Sequence, residues 1–172
     1  MEPAPSPAYH GLPDPNQPRE PAVTIWVDAD ACPAAVREIV LKASRRTGTA
    51  VVLVANRDMP APKAANASFV RVSAGADVAD HYIADNLDPA DLVVTADVPL
   101  AAQVVERGAL AISPRGEEYT AESVRQQLSM RDFMEGMRGA GLAGGGPAPE
   151  SKRDRQTFAN ALDRWLARQP EQ

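Results

Sequence analysis

The chain has 172 residues, 44% of them hydrophobic, and carries a formal net charge of −5. That length supports one domain with a proper core and is too short for two large ones. The acidic balance excludes a protein that coats nucleic acid non-specifically, while leaving room for local arginine clusters around an acidic centre.

Residues 1–21 hold seven prolines among small and polar residues, and this composition predicts a disordered extension. An α/β domain is expected over residues 22–138. It opens with VTIWVDADACP, residues 23–33, where Val23, Ile25, Trp26 and Val27 leave almost no polar position before Asp28. Such a run predicts a central parallel strand buried on both faces. Its carboxyl end delivers Asp28 and Asp30 to the sheet edge where open α/β sheets bind ligands. If the chain stays extended through Ala29, the two carboxylates point the same way.

Pro33 suits the first turn of a helix running to about residue 46, with Val36, Ile39, Val40 and Ala43 on one face and Gly48 as its C-terminal cap. AVVLVAN, residues 50–56, reads as a second buried strand ending at Asn56 and Arg57, and Pro60 and Pro62 keep the next segment irregular. SFVRVSA, residues 68–74, reads as a third strand, after which Asp77 is placed to cap a helix containing Asp80, His81 and Tyr82. DLVVTAD, residues 91–97, repeats the pattern of the first strand, and Val98, Ala101, Val104 and Val105 give an amphipathic helix up to Gly108. ALAIS, residues 109–113, makes a fifth strand.

Two further helices are expected, one over 120–128 and one to about residue 138. Residues 139–149 contain five glycines and two prolines and predict a flexible linker, drawn as 139–150. Ser151 and Asp154 then open a C-terminal amphipathic helix over 151–168 with a capping box. Its stripe of Phe158, Leu162, Trp165 and Leu166 must be covered either by the domain or by a second copy, a homodimer. The alternation of elements predicts a three-layer α/β sandwich with a largely parallel five-stranded sheet, Rossmann-like in plan.

Acids thus recur at strand ends and helix starts: Asp28 and Asp30, Asp77 and Asp80, and Asp97. Each alone is explained as a helix cap. If the first and fourth strands are neighbours, however, their acids meet at one edge. A carboxylate cluster without lysine suits a hard divalent cation, Mg²⁺ or Mn²⁺, and Asp28, Asp30 and Asp97 are the expected ligands. The chemistry such a centre serves best is phosphodiester hydrolysis. Asn56 and the Thr95 hydroxyl are candidates to hold water or the scissile phosphate, and Arg115 and Arg131 to grip phosphates. A second enzyme reading makes Asp28 the nucleophile of a phosphatase-like hydrolase, with Asp30 as acid/base. A third is a non-catalytic RNA- or protein-binding module.

Cys32 is the single cysteine, so no intrachain disulfide is available and a cytoplasmic setting is the simpler expectation. With Asp28 and Asp30 beside it, which would raise its pKa, it is expected to act as a small hydrophobe. No run has the length of a membrane span, so no membrane association is expected.

WVDADACP, GADVADHYI, VVTADVPLA, SPRGEEYT and MRDFM, in this order and spacing, resemble the YaiI/YqxD family of bacterial proteins over about residues 23–168. The resemblance does not supply a substrate. It implies a place in the wider PIN-like group, whose members resemble metal-dependent ribonucleases with acids at the carboxyl edge of a parallel sheet. By position, Asp28 resembles that group's first acid, Asp97 the acid after the fourth strand, and Asp77 or Asp80 the middle one. The catalytic set implied is therefore Asp28, Asp77, Asp80 and Asp97. The group also includes proteins that bind nucleic acid without cutting it.

Overall fold

The computed structural model describes residues 22–75, 77–139 and 150–169. The expected Pro-rich extension (1–21) and most of the expected Gly/Pro linker (140–149) lie outside the described residues. Five strands form one sheet: β1 (Thr24–Asp28), β2 (Ala50–Ala55), β3 (Ala67–Arg71), β4 (Leu92–Val94) and β5 (Leu110–Ile112). All neighbours pair in parallel, in the order β3-β2-β1-β4-β5. β1 is central because its residues are apolar on both faces: Ile25 and Val27 are fully buried and Trp26 nearly so.

Alternation along the strands sorts the core into two layers. Ile25 and Val27 pack with Val36 and Val40 of α1 (Ala34–Thr47) and with Phe158, Leu162 and Trp165 of α5 (Lys152–Ala167). Trp26 and Val93 pack on the opposite face. There they meet Ile83 of α2 (Val78–Asn86), Leu100 and Val104 of α3 (Val98–Glu106) and Val124 of α4 (Ala121–Gly139). The result is the three-layer α/β sandwich expected, with a sheet that is parallel throughout.

Gly48 terminates α1 at φ 76°, its N–H bonding the Ser44 carbonyl at 2.8 Å, because a residue without Cβ enters the left-handed region freely. The β2–β3 crossover carries no helix. Residues 56–66 run irregularly past Pro60 and Pro62, with Met59 packed against the α1 layer.

Two expectations change. The two helices expected between residues 120 and 138 are a single one, α4, since no proline or capping residue interrupts the run and Ser129 is tolerated inside a helix. Its later turns leave Met130 and Phe133 exposed. The stripe of α5 is covered by its own domain: Phe158 and Leu162 are fully buried and Trp165 is 4% exposed, so that face is not offered to a second copy. The expected capping box is present, with Ser151 and Asp154 bonded reciprocally. Among the described residues no helix is long and apolar enough to cross a membrane.

Candidate metal centre

The order of the strands reverses direction at β1. The chain leaves β1 toward β2 and β3 and later returns to β4 on the other side. A crevice therefore opens at the carboxyl ends of β1 and β4, the place where ligands bind in open α/β sheets. Asp28 ends β1 on the Trp26 face, two residues on, and so looks toward α2 and α3.

Beyond Asp28 the strand does not stay extended. Residues Ala29–Ala31 form a 3₁₀ turn, and this breaks the alternation that would have aimed Asp30 beside Asp28. Arg37 holds the turn, its Nη1 donating to the carbonyls of Cys32 at 2.6 Å and Ala29 at 3.3 Å. Asp30 instead accepts from the Asn56 backbone N–H at 2.7 Å and from Arg57 Nε at 3.1 Å. It thus ties β1's exit to β2's exit at the rim of the crevice.

Asp97 follows β4 as the N-cap of α3, one carboxylate oxygen accepting from the Leu100 N–H at 3.1 Å. A carboxylate offers about four lone-pair sites on two oxygens, so capping leaves capacity for a second partner. Asp80 lies in the first turn of α2, and only 5% of it is exposed. Asp28, Asp80 and Asp97 each bring an oxygen to within 4.8 Å of the others'. No arginine or lysine among the described residues forms an ion pair with any of them.

The cost of this gathering is visible in the titration of the acids. Burial lifts Asp28 to about 6, with the charges of Asp97 and Asp30 adding to the rise and the Thr95 hydroxyl opposing it. Asp80 is likewise raised to about 6, first by burial and then by Asp97 and Asp28. Like charges held together out of water favour a proton or a cation between them. Three anionic oxygens converging in this way fit a hard divalent ion.

The remaining expected residues fall into different places. Asp77 stands at the N-cap position of α2 but makes no side-chain cap bond. Its φ of 66° is the one left-handed non-glycine conformation among the described residues, and it lines the acid crevice beside Asn56, Asp30 and Asp80. Thr95 is fully buried rather than open to substrate. Its hydroxyl donates to Asp28 Oδ2 at 2.8 Å while accepting from the Asp97 N–H at 2.9 Å, so it links two of the three acids.

Arg131 of α4 lines a neighbouring part of the crevice with Asp97 and Val98. Arg115 lies further off, on the wall of an adjoining cavity, with Nη1 2.8 Å from Asp154 Oδ2. Cys32 is buried and its thiol is pushed up to about 12, chiefly by that burial, as a small hydrophobe should be.

Two devices were not legible in the sequence. Asp91 accepts from the Thr24 N–H, the Trp26 indole and the Asp88 N–H, at 2.9 to 3.0 Å, fastening the start of β4 to β1. Its signal was an acid opening an otherwise apolar strand. The clamp by Arg37 had a signal too, a cation four residues into α1 where the helix dipole disfavours it.

This geometry defines an all-parallel three-layer α/β protein with an acid triad, two of its members buried, at its switch point. The chain belongs to the YaiI/YqxD family: residues 26–168 match the DUF188 family model, whose description reads "Uncharacterized BCR, YaiI/YqxD family". A UPF0178 protein of Syntrophotalea carbinolica is 55% identical over 144 residues, covering 84% of this chain and 97% of the relative. A UPF0178 protein of Shewanella baltica strain OS223 is 54% identical over 144 residues, 84% and 96% of the two chains. One from Xanthomonas campestris pv. campestris is 53% identical over 155 residues, 90% and 97%. No solved structure matches the chain.

Proposed function

We propose that this protein is a divalent-metal-dependent hydrolase of RNA phosphodiester bonds, with Asp28, Asp80 and Asp97 holding Mg²⁺ or Mn²⁺. The observation that carries the proposal is the convergence of three acids, two of them buried, at the switch point with no arginine or lysine ion-paired to them among the described residues. When bound, such an ion polarises a phosphoryl oxygen and makes its water more acidic.

The chain's own residues supply the rest. Thr95 fixes the Asp28 carboxylate and the Asp97 backbone in one network, and Arg37 fixes the turn between Asp28 and Cys32. Asp30, held by Asn56 and Arg57, keeps the crevice rim in register. Arg131, beside Asp97, is placed to meet a phosphate of the bound strand. The place in the PIN-like group that the family resemblance implies points the same way, and on it rests the choice of RNA as the polymer. The domain of this reading begins at residue 22, and its setting is the cytoplasm.

The phosphatase-like alternative draws less support. A nucleophilic Asp28 would want a lysine at the site, and none lines the acid crevice. The test is titration of Mn²⁺ and Mg²⁺ into the wild type and Asp28→Asn, with cleavage of a mixed single-stranded RNA followed on the same samples. Metal binding and cleavage are expected in the wild type and should both disappear in the variant. Metal binding without cleavage would favour the non-catalytic binding module, and no metal binding in the wild type would sink the proposal.

A further inference from the structure

Beside the acid crevice lies a cavity of about 560 Å³ that the triad does not use. Its size falls in the range of small-molecule sites, about 300–1,000 Å³. Ala31, Pro33, Ala96 and Pro114 give it apolar walls. Tyr119, only 5% exposed and packed in the core, borders it in an orientation fixed by its hydroxyl, which donates to the Thr95 carbonyl at 3.2 Å. Six polar side chains also line it, Asp30, Ser113, Arg115, Glu117, Gln127 and Glu150, and the guanidinium of Arg115 meets Asp154 Oδ2 at 2.8 Å.

The partition between cavity and crevice is low. Ala31 borders both the cavity and the acid crevice, Ala96 borders the cavity and the part of the crevice beside Asp97 and Arg131, and the Ala96 N–H bonds the Ala31 carbonyl at 3.2 Å. These are among the smallest side chains available, so one ligand can lie across the two spaces. The structure thus sets a cavity with apolar walls, three carboxylates and one guanidinium directly beside the site proposed for a phosphodiester.

We infer that this cavity is the base-binding subsite of the enzyme, receiving the nucleoside next to the cleaved phosphate and preferring guanine. The inference rests on the hydrolase reading for its place in the reaction, and on the cavity alone for its ligand. Apolar walls suit the faces of a base. Ionised carboxylates only accept hydrogen bonds. Guanine presents adjacent N–H donors on its Watson–Crick edge to the carboxylates, which outnumber the one guanidinium, Arg115, itself paired with Asp154, whereas uracil presents two carbonyls around a single N–H. The Gln127 amide both donates and accepts, and so serves the guanine carbonyl as well.

The test uses neutral nucleosides on the full chain in the presence of EDTA, so that neither metal nor phosphate contributes. Saturation-transfer NMR with guanosine and uridine reads binding in the wild type, Gln127→Trp and Glu117→Gln. Guanosine is expected to bind at least tenfold more tightly than uridine. Gln127→Trp, at a partly exposed position of α4, fills the cavity and should remove the guanosine signal, with Mn²⁺ binding unchanged. Glu117→Gln should narrow the guanosine–uridine difference by several-fold.

Absence of guanosine binding in the wild type, or binding that Gln127→Trp leaves intact, overturns the inference even if the protein binds Mn²⁺ and cuts RNA. Guanosine binding blocked by Gln127→Trp in a protein that neither binds Mn²⁺ nor cuts RNA would keep the subsite and remove the hydrolase reading.

Discussion

At the scale of single residues, the acid triad is a local instability that the fold tolerates. Asp28 and Asp80 titrate near 6 in the folded chain against an ordinary 3.8. Between about pH 4 and 6 the folded state therefore keeps protons that the unfolded state has released, and metal-free stability falls as pH rises through that window. For Asp28 alone the loss is about 3 kcal/mol, at 1.36 kcal/mol per unit of pKa. Asp28→Asn removes the charge but keeps an acceptor for Thr95. In EDTA it should be more stable than the wild type at pH 7 and should lose that advantage as the pH approaches 4, as urea midpoints will show. A variant less stable than the wild type at pH 7 would mean that the Asp28 charge is compensated in the folded state. Removing Asp91 should act in the opposite sense, because its side chain accepts from three donors. Asp91→Ala orphans the Trp26 indole and two backbone N–H groups, and should cost about 2–4 kcal/mol in chemical denaturation without creating a metal-binding phenotype of its own.

At the scale of elements, α5 is the helix whose place decides the most. Phe158 and Leu162 lie in the same buried cluster as β1 and α1, and Phe158→Ala should cost about 3–5 kcal/mol. The loop after β5 is shaped to admit α5. Gly116 has φ 87°, and a Cβ there would meet the Phe158 nitrogen and the Thr157 carbonyl carbon at 2.6 Å. Gly116→Ala is therefore expected to push the helix away from the sheet, lowering the thermal midpoint and raising protease cleavage around residue 150. The exposed turns of α4 give a contrast: Phe133→Ser, at a side chain 60% exposed, should change stability by less than about 0.5 kcal/mol.

For the whole molecule, the core runs from β1 through to α5 rather than closing at residue 138. A chain ending at residue 139 would expose the face that Phe158, Leu162 and Trp165 now cover. It should lose about 5 kcal/mol or more and fail to show a cooperative transition, a large fraction of the stability of any single domain. Metal should act in the opposite sense on the intact chain. Bound at a hundred times its dissociation constant, Mn²⁺ stabilises by about 2.7 kcal/mol, and the rise in thermal midpoint should be absent in Asp28→Asn. An equal rise in that variant would place the ion elsewhere.

The sequence by itself determined the layered α/β plan, because unbroken apolar runs separated by helical periodicity leave few other ways to bury both faces of a parallel sheet. It also carried the acids of β1 and β4 to one edge, and it specified the caps at Gly48 and Ser151, since these depend on neighbours a few residues away. Tertiary structure decided which acids meet. The 3₁₀ turn under Arg37 turns Asp30 out to Asn56 and Arg57, and α2 presents Asp80 rather than Asp77 to the triad. Tertiary structure likewise buried Thr95 as a link between acids, joined two expected helices into α4 and seated α5 on its own sheet. Each of these outcomes depends on groups many residues apart coming together, and local pattern holds no record of such distances.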